Sequence, residues 1–153
     1  MTSSISSANQ PEVGPAGSRA GPDPLPARKS NPQPQASVLL VEDDFLLRSV
    51  SVGTLNDLGY QAFEVADAQQ ALSMLATHSE IKVLMTDVNL PGMDGKALAT
   101  EAKRLRPELR VLFVTGYGPK VVKDMDFSDG SIGYLSKPYQ HKDLERALKR
   151  LLI

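Results

Sequence analysis

The chain has 153 residues, which fits one domain carrying a tail and is short for two full-sized domains. Its 17 basic and 18 acidic side chains leave a net charge of -1, so no overall positive field exists to hold nucleic acid or an anionic membrane by charge alone. The absence of cysteine excludes disulfide frameworks, thiolate nucleophiles and Cys-ligated metals, and no unbroken apolar run exceeds four residues against the roughly 20 that span a bilayer.

The opening stretch, MTSSISSANQPE, lacks the basic and apolar regions of a secretory signal, so a soluble cytoplasmic protein is expected. Residues 1–36 hold seven of the 11 prolines and almost no large apolar side chain, and such a segment cannot offset its own ordering entropy. It reads as a disordered tail, followed by a folded domain over 37–153. Within the domain, strands are expected at 38–41, 62–65, 81–86, 111–115 and 132–136. Leu47, Val50, Leu55 and Leu58 have helical spacing ahead of Gly59, and Ala71, Leu72, Leu75 and Ala76 mark a second helix with Asp67 as its N-cap. Leu98, Ala102 and Leu105 mark a third before Pro107. Leu144, Ala147, Leu148, Leu151 and Leu152 give the last helix the clearest apolar stripe. Between residues 119 and 127 only Val121, Val122 and Met125 are available to bury, so a helix there would be short and weakly held.

Near-continuous apolar strands alternating with helices predict a parallel sheet covered on both faces, with a ligand site beyond the carboxyl ends of the strands. Glu42, Asp43 and Asp44 follow the first strand, Asp87 the third, Thr115 and Gly116 the fourth, and Lys137 and Pro138 the fifth. Parallel strands would bring these groups to one edge. Clustered carboxylates repel and raise one another's pKa unless a cation sits among them. The ligands are hard oxygens with no histidine nearby, and they are too few for a calcium cage, so Mg²⁺ is the indicated ion.

VLLVEDD, TDVNLPGMDG, VTG and YLSKP, in this order and spacing, resemble the receiver domain of bacterial two-component response regulators over residues 37–153. The resemblance implies a flavodoxin-like α/β fold, a doubly wound parallel sheet of five strands in the order 2-1-3-4-5 with five helices. It further implies phosphoryl transfer from a histidine kinase or histidine phosphotransfer protein. Residue by residue, Asp87 matches the phosphoacceptor, Glu42 and Asp43 the acidic pair that binds Mg²⁺, and Asn89 the position whose backbone carbonyl joins the metal. Thr115 matches the switch hydroxyl, Lys137 the family's lysine and Tyr134 the aromatic switch position. Asn89 and Tyr117 stand where family members tune hydrolysis. Glu42 replaces the Asp of many members, and its longer side chain is expected to reach the metal through water.

The chemistry agrees with the resemblance. A carboxylate with an ordinary pKa of roughly 3.9 is ionised at neutral pH and attacks phosphorus without a general base. What it needs is charge neutralisation, which Mg²⁺, Lys137 and Thr115 would supply to the oxygens of the transferring group. The resulting acyl phosphate would hydrolyse, making the protein its own slow phosphatase. Single residues have plainer roles: Asp44 fits a helix cap and Asp94 a turn, His78 and His141 fit surface positions, and Arg104, Arg106 and Arg110 beside Lys103 fit a solvated helix end. Other readings are an interaction-only receiver that signals without phosphate, a receiver of a hybrid histidine kinase, and a phosphate shuttle or sink. An aspartyl-phosphate hydrolase would need an acid two residues after Asp87, where Asn89 stands. With the last helix running to Ile153 and no output domain following, a stand-alone regulator with an unknown protein target is expected.

Overall fold

The computed structural model describes residues 34–125 and 128–153. Strands β1 (Ser37–Val41), β2 (Gln61–Val65), β3 (Ile81–Asp87), β4 (Arg110–Thr115) and β5 (Ile132–Ser136) pair in parallel, in the order β2-β1-β3-β4-β5. The middle stretches of the central strands, Val38–Val41, Val83–Met85 and Val111–Val114, are apolar because both faces are covered. Alternate residues divide the core in two. Leu39, Val41, Leu84, Val111 and Phe113 face one apolar cluster, while Val38, Leu40, Val83, Met85, Leu112 and Val114 face the other. Each fully buried Leu or Phe contributes about 1.5–3 kcal/mol of transfer free energy.

Helices α1 (Phe45–Asp57), α2 (Ala68–Thr77), α3 (Gly95–Leu105) and α4 (His141–Leu152) cover the two faces. The first three share one starting device, an aspartate whose carboxylate accepts a backbone N–H of the first turn. Asp44 accepts from Leu47 at 3.0 Å, Asp67 from Gln70 at 2.8 Å and Asp94 from Ala97 at 2.8 Å. Such a cap contributes about 1 kcal/mol. α4 starts instead with a reciprocal box between Gln140 and Asp143. Gly59, at φ 94°, ends the α1 turn in the left-handed region that a Cβ disfavours. No helix among the described residues is long and apolar enough to cross a membrane.

Two departures from the sequence expectation concern the chain's connections. Five helices were expected, but among the described residues the crossover between β4 and β5 holds a single 3-10 turn at Pro119–Val122. Gly118, at φ 86°, and Pro119 break the preceding backbone, and Val122 is the one side chain described in that turn that is fully buried. The expected tail lies outside the described residues up to residue 33. The Gln35 N–H already donates to Gly59 O at 3.0 Å and its Nε2 to Leu58 O at 2.7 Å, so hydrogen bonding to the domain begins two residues ahead of the expected boundary.

Candidate functional site

Because β1, β3, β4 and β5 are parallel, their carboxyl ends meet at one edge of the sheet. Asp87 is the last residue of β3, and its carboxylate is 15% exposed, open enough to react and buried enough to feel its neighbours. Lys137, just past β5, donates from Nζ to Asp87 Oδ2 at 2.6 Å. The other oxygen, Oδ1, accepts the Asn89 N–H at 2.9 Å, which fixes the carboxylate's rotation. Lys137 is held from the backbone as well, its N–H donating to Thr115 O at 2.9 Å.

The same ammonium lies 3.5 Å from Glu42 Oε1. Glu42 Oε2 accepts the Asp44 N–H at 3.1 Å, and the Glu42 carbonyl accepts from the Arg48 guanidinium at 2.8 Å. Burial pushes the Glu42 carboxyl above the usual carboxylate range, against the Asp44 hydrogen bond and the Lys137 charge that favour ionisation. For Lys137, burial alone would lower the pKa. The hydrogen bond and charge of Asp87, followed by those of Glu42, outweigh it and hold the ammonium above its ordinary value.

Thr115 ends β4 and is fully buried. Its Oγ1 accepts the Tyr117 N–H at 3.0 Å, leaving the hydroxyl hydrogen available to donate elsewhere. Tyr134 on β5 is half-buried and pairs in register with Phe113, packing against the core face that contains Val122. Tyr117 is 72% exposed beside Thr115.

Asp43 is exposed and makes no hydrogen bond or ion pair among the described residues, so its carboxylate is available to a cation. No group of three or more carboxylate or imidazole side chains among the described residues is arranged to hold a metal. That arrangement still suits Mg²⁺, which keeps several waters and binds through one or two carboxylates. Asp43 and Asp87 are the donors with hard oxygens near one another in the chain's topology, and Glu42 has both oxygens engaged. Asp44 is the helix cap expected of it, whereas Asp94, expected in a turn, is the N-cap of α3.

Three structural roles were invisible in the sequence. A Cβ on Gly95 would stand 2.2 Å from the Asp87 carbonyl oxygen, and the Gly95 N–H donates to Val88 O at 2.7 Å, so the start of α3 presses directly on the backbone at the end of β3. Arg48 joins the Glu42 carbonyl to the Glu64 carboxylate, the latter at 3.1 Å. Arg106 and Lys103 are not a solvated helix end. The Arg106 guanidinium donates to the carbonyls of His78, Ser79 and Ile81, and Lys103 donates to Leu109 O and Ser131 Oγ. No pattern of residue types signals such carbonyl-directed contacts, which depend on chain crossings at the far end of the sheet.

Residues 38–149 match the family model described as the response regulator receiver domain. The sensor kinase CckA of Brucella abortus is 33% identical over 118 residues, covering 76% of this chain and 12% of the kinase. The response regulator receiver protein CpdR of the same organism is 30% identical over 116 residues, covering 76% of this chain and 96% of CpdR. Among solved structures, Vibrio cholerae chemotaxis protein CheY4 superposes with a TM-score of 0.69 at 28% identity, covering 76% of this chain and 98% of that one. The chain thus spans nearly all of one curated relative and a small part of another.

Proposed function

The chain belongs to the response regulator receiver domain family, and from that premise we propose that Asp87 accepts a phosphoryl group from a histidine kinase or histidine phosphotransfer protein. The observation that carries this reading is the Lys137 ammonium held against Asp87 at 2.6 Å and near Glu42 at 3.5 Å, at the carboxyl edge of a parallel sheet.

In the transfer, an Asp87 carboxylate oxygen forms the new P–O bond while the bond from phosphorus to the donor atom breaks, and the donor leaves with that electron pair. The carboxylate is ionised beforehand, so no base is required. Lys137 is already paired with Asp87 and can follow the charge onto the phosphoryl oxygens, while the Thr115 hydroxyl donates to one of them. Mg²⁺ bound by Asp43 and Asp87, with the Asn89 carbonyl, would supply further charge neutralisation. Glu42 supports Lys137 and the start of α1.

A donor protein has a fitting place to dock. Phe45, Leu46, Leu47 and Val50 on α1 are exposed at 50% or more, and a hollow lined by Leu47, Val50, Pro138 and Tyr139 opens onto Glu42 and Lys137. An apolar helix seated there would stand beside the acceptor. The output lies across the sheet. Drawing the Thr115 hydroxyl toward a phosphoryl oxygen vacates space that Tyr134 can enter, and the short 3-10 turn offers little resistance to the shift. The test is intact mass after incubation with Mg²⁺ and a small acyl phosphate. One added phosphoryl group is expected in the wild type and none in Asp87→Asn, and labelling that needs no divalent cation would contradict the reading.

A further inference from the structure

The outer edge of β5 is bare among the described residues. Val111 N–H donates to Ser131 O and Lys137 N–H donates to Thr115 O, with Val111 opposite Ile132 and Thr115 opposite Ser136. In a parallel ladder this phase directs the main-chain groups of Ser131, Gly133, Leu135 and Lys137 toward β4. Those of Ile132, Tyr134 and Ser136 therefore point away from the sheet. Natural edges are usually blunted by charged side chains, yet this strand reads IGYLS and carries none.

The space beside that edge is shaped. Two adjoining hollows of ≈ 320 and ≈ 360 Å³, which share Tyr134, Ala147 and Arg150, run between β5 and α4. Ala147 is the small residue in the middle of the α4 wall. Arg146 and Arg150 flank it, one helical turn apart. Arg146 is 64% exposed, its one ion pair being a long 3.9 Å contact to Asp143, and Arg150 is exposed and makes no ion pair among the described residues.

We propose that this edge takes an extended, acidic segment of a partner protein as a sixth strand, bonded to the main chain of Ile132, Tyr134 and Ser136 and paired through its carboxylates with Arg146 and Arg150. Alternate side chains of a strand are about 6.6 Å apart. Arg146 and Arg150 are separated by about 6 Å along the helix axis. Acidic residues at alternate positions of the added strand therefore meet both guanidinium groups. A second copy of this chain is the poorer occupant, because pairing β5 with itself would line both sides of the seam with arginine. This deepens the proposed switch surface and rests on it for regulation, since Tyr134, the middle of the open edge, is the residue that the Asp87 chemistry would move.

The probe is a capped heptapeptide of alternating aspartate and valine, with a control of the same composition whose aspartates are grouped at one end. Amide exchange is followed by NMR in the full chain. Saturating peptide should slow exchange at Ile132, Tyr134 and Ser136 about tenfold, with Gly133 and Leu135 unchanged. The effect should be lost with the control peptide and in Arg146→Gln/Arg150→Gln, whose exposed positions leave the core intact. Unchanged exchange at the three residues, or full protection in the double variant, overturns the proposal. So does protection that appears without peptide as protein concentration rises, which would assign the edge to a second copy. Unphosphorylated protein judges the edge alone. Adding Mg²⁺ and acetyl phosphate should then tighten peptide binding about fivefold. A chain that binds the peptide but gains no phosphoryl mass from acetyl phosphate and Mg²⁺ would refute the acceptor reading and leave the edge standing, whereas a chain that is phosphorylated but never binds the peptide would refute the edge.

Discussion

Lys137 and Asp87, fifty positions apart in the chain, meet at 2.6 Å with side chains 30% and 15% exposed. The contact ties the end of β5 to the end of β3 across β4, which lies between them in the sheet. An ammonium so placed offsets the Asp87 charge and also links β3 to the strand that carries Tyr134.

A partly buried pair of this kind should show measurable coupling. In a urea double-mutant cycle with Lys137→Met and Asp87→Asn, the two residues should couple by about 0.5–3 kcal/mol. Additive effects would mean that the contact contributes nothing to the fold.

Glu42 should give the fold a specific pH dependence. Its folded-state pKa is raised, chiefly by burial, so its favourable contribution is complete below the ordinary carboxylate range and is lost as pH rises through the raised value. Glu42→Gln does not undergo that loss. With divalent ions chelated, the variant should gain thermal stability relative to the wild type as pH rises out of the ordinary carboxylate range, and a difference that stays constant with pH would contradict the assignment.

Gly95 should tolerate no side chain. Gly95→Ala places a Cβ against the Asp87 carbonyl, and overpacking of this kind costs about 1–3 kcal/mol. Urea unfolding measures the loss, and phosphorylation by acetyl phosphate should slow in the same variant because the acceptor strand must shift. Unaltered stability would show that the α3 start moves aside freely.

Much of this was legible in the sequence because the relevant signals are local. The VLLV and VLFV runs mark strands buried on both faces, and Asp67 marks a helix start through a single side chain ahead of an apolar repeat. Asp87, Thr115 and Lys137 were placed together by parallel topology alone. The roles of Gly95, Arg48, Arg106 and Lys103 were not legible, since each depends on which carbonyl lies across from it in three dimensions. The weak segment after Gly118 was read correctly as poor in apolar side chains. Among the described residues it forms one 3-10 turn, which begins after Gly118 at φ 86°.

Tyr117 should govern the lifetime of the proposed acyl phosphate. Its ring is 72% exposed while its N–H is fixed to Thr115 Oγ1, so the ring can cover the site without reorganising the backbone. A phenol ring brings no general base to the attacking water, so its effect is to shield. Tyr117→Ala should therefore hasten dephosphorylation, followed by intact mass against time, and an unchanged or slower decay would show that the ring does not shield the phosphoryl group.

The chemical identity of the acceptor is open to direct trapping. Borohydride reduces an aspartyl phosphate to homoserine and leaves a free carboxylate untouched, so peptide mapping after phosphorylation and reduction reads the acceptor by position. Homoserine is expected at residue 87, dependent on Mg²⁺ and on the acyl-phosphate donor. Homoserine at residue 43 or 44, or none in a chain that has gained phosphoryl mass, would contradict it.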